Sequence, residues 1–476
     1  MVRFSGNIFS RIVFTGLLII LQSTFANAQF YQGSQMTFGK NRVQYTDFYW
    51  TYYKFKNYDV YFYVGGKELA AYVAEQAQNE MDDLERLLDY RSTNRFQIIV
   101  YNKLSDLKQT NIGLEMDDLS YNIGGLTRVI GNKILIYFDG NHEHLQQQIR
   151  AGMARALLDQ LMYGGNIRER LQASILLNLP LWFNQGLVTY LAKGWTVEDD
   201  NRLRDLLLSH KIKSMSQLME MDEVFAGQAL WKYIMDTYGQ ASLSNLVYMT
   251  RINRSLESGF IYVLGTPLRQ LSKDWYKNSI QHYEQFDKDK LPVAGSPLQT
   301  KERKKILTQA APDPFGSRVA YVANNKGKYK VRVYDVQNNK RYTADCGGYA
   351  SVTTENDLSY PLLAWHPSGK ILAIIKEKKG KIWLNLYNTD TKESDISELM
   401  YFTKILSINY SPDGSKLLMS AVQKGQSDIY LFNLRGRNFE QLTNDIYDDL
   451  YPAYDITGTR VLFSSNRPVD TLGVDY

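Results

Sequence analysis

The first third of the chain alternates between aromatic, β-branched runs and one long amphipathic run. The segments "QYTDFYWTYYKF" (44–55) and "YDVYFYV" (58–64) have the composition of strands. Residues 65–90 then carry apolar side chains at helical spacing. Two further strands are predicted from "FQIIVY" (96–101) and "KILIYFDG" (133–140). Together these segments predict a small sheet with one long helix against it.

From His142 to about residue 290 the apolar periodicity is that of helices almost throughout. The predicted helices are 143–163, 168–178, 180–192, 199–209, 226–238, 242–250 and 267–285. The N-terminal domain, residues 29–290, is therefore predicted to be α+β, a small sheet joined to a helical subdomain.

After a linker at 291–305 the pattern changes to short strands separated by turns. Gly369, Gly414 and Gly458 each precede a β-rich run, as in "SPDGSKLLMSAV", and are 45 and 44 residues apart. Gly316 opens a looser earlier copy. This spacing matches the roughly 40–45-residue period of a four-stranded propeller blade. In these turns proline presets φ and glycine accepts a positive φ, so the motif builds a turn rather than a reactive site.

These repeats resemble the TolB-type, WD40-like β-propellers of secreted bacterial proteins over residues 306–476. The fourth copy has room for only two strands before Tyr476. Propellers close with about 4–8 blades, and closure protects strand edges. We therefore expect an incomplete propeller here, with the remaining blades beyond Tyr476.

The N-terminus has the layout of a secretory signal peptide. Arg3 and Arg11 precede an apolar run, and Ala26-Asn27-Ala28 forms a small-residue cleavage site before Gln29. A membrane anchor is the competing interpretation, but the run is shorter than the ~20 residues that a spanning helix needs. We expect residues 1–28 to be removed and the protein to cross the inner membrane into the periplasm, free or associated with the outer membrane.

Composition excludes several classes of protein. The 476 residues carry a net charge of +5 with both signs interspersed, so there is no nucleic-acid footprint. The basic runs 301–305 and 376–381 fall in the linker and a hairpin turn, where solvated charge is the ordinary explanation. Cys346 is the sole cysteine, which rules out an internal disulfide. No later segment is long and apolar enough to form a transmembrane helix after signal cleavage.

The segment "LPLWFNQGLVTY" (179–190) raises the question of catalysis. It is similar to the phrase Trp-Phe-x-Glu-Gly-Leu-x-x-Tyr of gluzincin zinc metallopeptidases, including the peptidase-MA-like branch, but Gln185 stands at the glutamate position. On that frame "IRAGMARAL" resembles the active-site helix that carries His-Glu-x-x-His. The resemblance covers about residues 45–285. It implies that Ala151, Gly152 and Arg155 occupy the positions of the first histidine, the catalytic glutamate and the second histidine.

The chemistry of that site is missing. Histidines one helical turn apart share a metal, and the glutamate takes a proton from metal-bound water. Alanine and glycine side chains offer no donor atom, arginine stays protonated, and neutral glutamine is a poor substitute for a carboxylate. No metal or other cofactor is expected. If the frame is intact, the helices carrying Arg155 and Gln185 pack side by side, and restoring all four residues should create zinc affinity.

The five histidines do not rescue a metal site. His142 and His144 have the wrong spacing for the helical motif and are predicted to form a solvent-exposed helix cap. His210, His282 and His366 lie in separate elements, where surface or structural roles are expected.

Two uses of the vacated position remain open. Arg155 and Gln185 could form a polar pair that fills the cavity, because buried polar groups need partners. Alternatively, the cleft could bind an acidic group or a peptide terminus without cutting it. Its candidate lining comprises Arg155, Trp182, Phe183, Gln185 and Tyr190.

Two functions from different classes follow. The first is a non-catalytic secreted envelope protein, in which a pseudo-peptidase domain and a propeller are binding or scaffolding surfaces within an envelope or outer-membrane assembly. Its partners would be proteins of the cell envelope. The second is a peptidase-type hydrolase whose active residues lie outside this chain or in a different alignment.

Overall fold

The structure is a computed structural model. It describes residues 44–110, 128–130, 132–164, 179–288, 290, 302, 305–349 and 357–468. The predicted signal peptide, the predicted helix 168–178 and most of the predicted linker lie outside the described residues. No helix in the described ranges is long and apolar enough to cross a membrane.

The N-terminal region contains a five-stranded mixed sheet in the order β1-β2-β3-β5-β4. The strands are β1 (Thr51–Lys54), β2 (Tyr58–Phe62), β3 (Phe96–Tyr101), β4 (Arg128–Ile130) and β5 (Lys133–Tyr137). Strands β2, β3 and β5 are parallel, and the outer strands pair antiparallel to them. The predicted small sheet is present.

The first predicted strand is much shorter than expected. Only Thr51–Lys54 pairs as a strand, although the pattern predicted 44–55. The backbone N–H groups of Tyr45 and Thr46 instead donate to the side-chain oxygen of Gln109, each at 3.0 Å. A side-chain contact 63 or 64 residues away in sequence therefore replaces the strand ladder, and no local pattern reports it.

Helix α1 (Lys67–Leu88) covers one face of the sheet. Alternate residues of β2, Tyr58, Val60 and Phe62, are buried on that face, as period-two strand geometry requires. They share one core with Val73 and Ala77 of the helix. The predicted arrangement of one long helix against the sheet is correct.

The remaining helices belong to the helical subdomain, except for the first, which follows β3 and packs against the sheet. They are α2 (Leu104–Leu107), α3 (His142–Tyr163), α4 (Leu181–Lys193), α5 (Val197–Leu208), α6 (Met215–Met221), α7 (Glu223–Tyr238), α8 (Ala241–Asn253), α9 (Leu256–Leu264) and α10 (Leu268–Asp287). Among these, α2, α6 and α9 were not predicted. All three are short, so periodicity is weak, although Ser214 and Ser255 cap α6 and α9 in the usual way.

The C-terminal region is a series of four antiparallel sheets. The first is β6 (Ile306–Pro312), β7 (Arg318–Asn325), β8 (Lys328–Asp335) and β9 (Lys340–Gly347). The second is β10 (Leu362–Trp365), β11 (Ile371–Lys378), β12 (Lys381–Asn388) and β13 (Ser394–Glu398). The third is β14 (Lys404–Tyr410), β15 (Lys416–Gln423), β16 (Gln426–Asn433) and β17 (Asn438–Gln441). In the described part of the fourth, β18 (Asp449–Tyr454) pairs with β19 (Val461–Ser465).

Each blade packs on the turn glycine of the next. A Cβ atom at Gly369 would lie 2.8 Å from the Phe315 ring, one at Gly414 would lie 2.1 Å from His366 Nε2, and one at Gly458 would lie 2.8 Å from Pro412. These glycines all have positive φ. The glycines predicted from their spacing therefore serve both the turn and the contact between blades.

We predict that Gly414→Ala destabilises the chain more than Gly316→Ala. Both positions have positive φ, which costs a non-glycine residue about 1–2 kcal/mol. A Cβ atom at Gly316 meets nothing within 4 Å, whereas one at Gly414 overlaps His366. Overpacking should add about 1–3 kcal/mol. Urea unfolding of the two variants measures the difference, and equal losses would show that blade contacts at the turn do not limit stability.

Candidate functional site

Helix α3 carries Ala151, Gly152 and Arg155, which the sequence resemblance aligns with a zinc site, and it is buried on most sides. The side chain of Ala151 is 1 % exposed and belongs to the N-terminal core. Gly152 faces the sheet, where a Cβ atom would lie 2.2 Å from Ile134 Cγ2 of β5. At the position that the resemblance assigns to a catalytic glutamate, the sheet therefore leaves no room for a side chain.

Helices α3 and α4 pack against each other, so Ala151, Arg155 and Gln185 lie on neighbouring helices. The guanidinium of Arg155 pairs with Asp159 one turn along its own helix, at 3.1 Å. The side chain of Gln185 is 1 % exposed. Arg155 thus has a carboxylate partner that the frame did not indicate, and its predicted pairing with Gln185 stays a prediction.

Two aromatic residues of the candidate cleft are core residues. The Phe183 ring lies 5.2 Å from that of Trp231, and Trp182 lies 6.1 Å from Phe260. The indole N–H of Trp231 donates to the carbonyl oxygen of Phe183 at 3.0 Å. Tyr190 is half-buried, and burial raises the pKa of its hydroxyl. The Phe183 ring therefore packs α4 on α7, the Trp182 ring packs it on α9, and both rings are buried.

Arg150 is a structural residue that the motif comparison missed. It donates to Glu80 and, at 2.7 Å, to Asp83 of α1, and its Nε donates to the carbonyl of Leu191 on α4 at 2.5 Å. Burial acts to raise the pKa of Asp83, but hydrogen bonds from Arg150 and Arg86 outweigh it and hold that pKa below its usual value. One side chain thereby fixes three helices.

The predicted exposed cap at His142 is wrong in one respect. Asn141 is the N-cap of α3, so the position at a helix start is correct. His142, however, is only 8 % exposed and packs its ring against Tyr72 and Phe138. Its backbone N–H and its Nδ1 each lie 2.7 Å from an oxygen of Asp448. The partner is 306 residues away, so the sequence around His142 could not reveal it.

The other histidines lie apart from this contact. His144 Nδ1 is 2.5 Å from Asp139 Oδ2 within the same domain. His210 and His282 are exposed, and His366 packs between two blades against Gly414 and the Tyr410 ring. In the described ranges no group of three or more His, Cys, Asp or Glu side chains is placed to hold a metal ion.

The His142–Asp448 contact belongs to a junction between the N-terminal region and the propeller. On one side stand the segments that follow the carboxyl ends of β2, β3 and β5, represented by Leu69, Lys103 and Gly140. Gly140 lies against Leu406, and its carbonyl accepts a hydrogen bond from Ser427 Oγ at 2.7 Å. Val422 of β15 is part of the N-terminal core. The apolar interior is therefore continuous across the junction.

On the propeller side of the junction, the same type of hairpin turn occurs in each of the first three blades. The central pairs Lys326-Gly327, Lys379-Gly380 and Lys424-Gly425 all have positive φ at both residues, which is the two-residue hairpin turn matched to strand twist. Lys103 Nζ donates to the Gly380 carbonyl at 2.7 Å. A Cβ atom at Gly425 would lie 3.1 Å from Leu69. The Lys-Gly repeat in the sequence is the signal that marks this face, whereas the spacing of Gly369, Gly414 and Gly458 does not reveal it.

A cleft of about 590 Å³ opens beside the contact of Lys103 with Gly380. The N-terminal region contributes Tyr45, Ser105, Lys108 and Gln109, and the first two blades supply the other wall. Open sheets with parallel strands place ligands outside the carboxyl ends of those strands, which is where this cleft lies. The junction therefore contains a ligand-sized space at a favoured position.

Two carboxyl groups in the cleft have pKa values shifted in opposite directions. Burial raises the pKa of Glu377 above its usual value. Burial also acts to raise the pKa of Asp357, but the charge of Lys404 and the hydrogen bonds from Ser359 together outweigh it and lower that pKa. Lys404 itself is 9 % exposed. Burial therefore dominates at Glu377, whereas neighbouring charge and hydrogen bonds dominate at Asp357.

We predict that His142→Ala weakens the coupling of the two regions. Removing the imidazole takes one hydrogen bond from the buried carboxylate of Asp448 and leaves the one from the backbone N–H of residue 142, and losing a hydrogen bond to a charged group costs about 1.5–3 kcal/mol. Scanning calorimetry of the full chain should show an earlier or divided transition. The control is His144→Ala, whose partner Asp139 lies in the same domain and which should lose under about 1 kcal/mol. Identical thermograms for both variants would contradict a coupling role.

We also predict that a variant with the three ligands and the general base restored needs one more substitution before it binds zinc. Gly152→Glu drives a side chain into Ile134, so the variant carrying Ala151→His, Gly152→Glu, Arg155→His and Gln185→Glu should fold poorly. Adding Ile134→Ala should relieve the overlap and produce zinc affinity, measured by competition with a chromogenic chelator. Zinc affinity that is unchanged when Gln185 is retained would contradict the placement of that residue as a ligand.

Comparison with known proteins supports the assignment of the C-terminal region. Residues 305–470 match the family model described as TolB beta propeller domain. No curated protein sequence matches the chain significantly.

Among solved structures, the chain is similar to TolB from Acinetobacter baumannii, with 14 % identity over 33 % of this chain and 37 % of that one, at a TM-score of 0.28. It is also similar to the β-propeller domain of the Trilobed protease from Pyrococcus furiosus, with 17 % identity over 34 % and 53 %, at a TM-score of 0.24. The tricorn protease gives 15 % identity over 33 % and 15 %, at a TM-score of 0.24. The chain therefore spans less than two thirds of each of these proteins. Residues 305–470 form a TolB-type β-propeller region, as the repeat spacing predicted.

Proposed function

We propose that this protein is a non-catalytic secreted protein of the cell envelope. In this proposal a pseudo-peptidase N-terminal domain and a TolB-type propeller act together as one binding scaffold. The observation that carries it is the buried junction, where His142 pairs with Asp448 and Val422 enters the N-terminal core. A shared core holds two surfaces in a fixed relation, which is what a scaffold requires.

The chemistry of the N-terminal domain supports a role without catalysis. Ala151 and Gly152 have no donor atoms, and Arg155 pairs with Asp159 as a cation. A cation at a ligand position opposes metal binding. The peptidase-like frame would then persist because its helices form the domain core.

A hydrolase remains the second candidate, and one observation favours it. The cleft at the junction contains Glu377 and Asp357, whose pKa values are shifted in opposite directions. Such a pair can divide the roles of general acid and general base. Hydrolysis by these residues would need no zinc, so it can be separated experimentally from peptidase chemistry at α3.

We predict that the purified full chain binds no stoichiometric zinc and shows no chelator-sensitive peptidase activity. The reason is that Ala151 has no donor atom, Arg155 is a cation, neutral Gln185 is a poor ligand, and Gly152 stands at the position of the general base. Elemental analysis measures the metal, and a panel of casein substrates with and without 1,10-phenanthroline measures the activity.

The control variant is Glu377→Gln, which alters the junction cleft and leaves α3 unchanged. About one zinc per chain, with hydrolysis lost on chelation, would overturn the proposal. Hydrolysis that resists chelation and is lost in Glu377→Gln would establish the second candidate instead.

A further inference from the structure

The cleft at the junction has two walls of different origin. Helix α2 and the segment before β1 supply Ser105, Lys108 and Tyr45. The propeller wall contains the Lys-Gly turns of the first two blades and the end of β9. Its volume of about 590 Å³ lies within the range of about 300–1,000 Å³ that ligand sites occupy. A ligand there would contact both regions at once.

The lining carries more positive than negative charge. Its lysines are Lys108, Lys376, Lys378 and Lys379, and its carboxyl groups are Asp357 and Glu377. The four lysines therefore outnumber the two carboxyl groups. Lys378 and Lys379 are exposed at the mouth, whereas Lys376 is held by Asp345 at 2.5 Å. A cleft whose lining has a net positive charge raises the local concentration of negatively charged ligands.

The propeller wall is suited to a polypeptide backbone. Gly347 ends β9, which pairs only with β8 in the described sheet and is thus an edge strand. Edge strands offer unpaired peptide groups to an extended segment. Gly348 and Gly327 continue this wall without side chains that would keep a backbone away.

Aromatic rings stand at the mouth of the cleft on both sides. Tyr45, from the N-terminal region, is 45 % exposed, and Tyr349, from the propeller, is 81 % exposed. Tyrosines of this kind supply contact area at low entropic cost in peptide and protein recognition. The buried residues Tyr329 and Tyr360 also line the cleft.

We propose that this cleft binds an extended acidic segment of a partner polypeptide between helix α2 and the Lys-Gly turn at Lys379-Gly380. The inference rests on the proposed binding function and names its site and the chemistry of its ligand. The carboxylates of the segment lie near Lys108, Lys378 and Lys379, and its backbone runs beside the glycines at the end of β9.

Cys346 provides a reporter at the site without any substitution. It is the sole cysteine of the chain, it is exposed, and it lines the cleft. The probe is a pool of twelve-residue peptides built from Glu, Tyr, Ser and Gly, and the matched pool replaces Glu by Lys. We expect the acidic pool to slow the reaction of Cys346 with a chromogenic disulfide at least about fivefold, while the basic pool has no effect.

Variants that reverse or remove a lysine charge test the contribution of each wall to binding. Lys379→Glu should weaken binding of the fluorescein-labelled acidic pool, measured by anisotropy at low salt, by about fivefold or more, and Lys108→Gln should act in the same direction from the opposite wall. The matched control is Lys424→Glu, at the same position of the equivalent turn in the third blade and outside the cleft lining. It should bind as the parent does. Thermal melting verifies that each variant folds.

Three results would overturn the inference. They are failure of the acidic pool to protect Cys346, equal loss of binding in Lys424→Glu, and equal competition by polyphosphate or heparin, which would indicate a general anion surface. These results are independent of the zinc and hydrolysis measurements. A failed peptide experiment with no metal and no hydrolysis would therefore reject this site while leaving the scaffold proposal in place.

Discussion

The packing of the parallel-strand edge on the hairpin turns of the propeller is the constraint on which the rest of the structure depends. The loops after β2, β3 and β5 meet turns that contain glycine at Gly380 and Gly425, where little side-chain volume separates the backbones. The His142–Asp448 pair is buried in this contact. A buried pair of this kind favours one arrangement, because losing either partner leaves an uncompensated polar group.

The same constraint explains where ligand-sized space remains. The junction closes at Gly140 and Leu69 and stays open beside the contact of Lys103 with Gly380. Charges that would be costly in a closed interface are then partly solvated or paired. Lys376 with Asp345 is one such pair. The cleft is thus a consequence of domain packing, and its lining comes from segments far apart in the chain.

The helices whose sequence resembles a peptidase site are held in the core by close contacts at glycine. Gly186 of α4 and Gly227 of α7 approach so closely that a Cβ atom at Gly227 would lie 2.0 Å from the Trp182 carbonyl oxygen. Gly152 meets Ile134 in the same way. Such contacts tie the helices together irrespective of a metal. The residues that made the sequence resemble an enzyme, Trp182 and Phe183 among them, are those that the packing requires.

The sequence by itself determined the strands at 96–101 and 133–137, the helices with strong periodicity and the blade repeat, because each depends on local spacing of apolar and turn residues. It did not determine that residues 44–50 lie outside the sheet, that His142 is buried, or that Arg155 pairs with Asp159. Only the tertiary structure decided the junction and its cleft. Their contacts, such as Lys103 with Gly380, join residues 277 positions apart, and no local pattern encodes which surfaces meet.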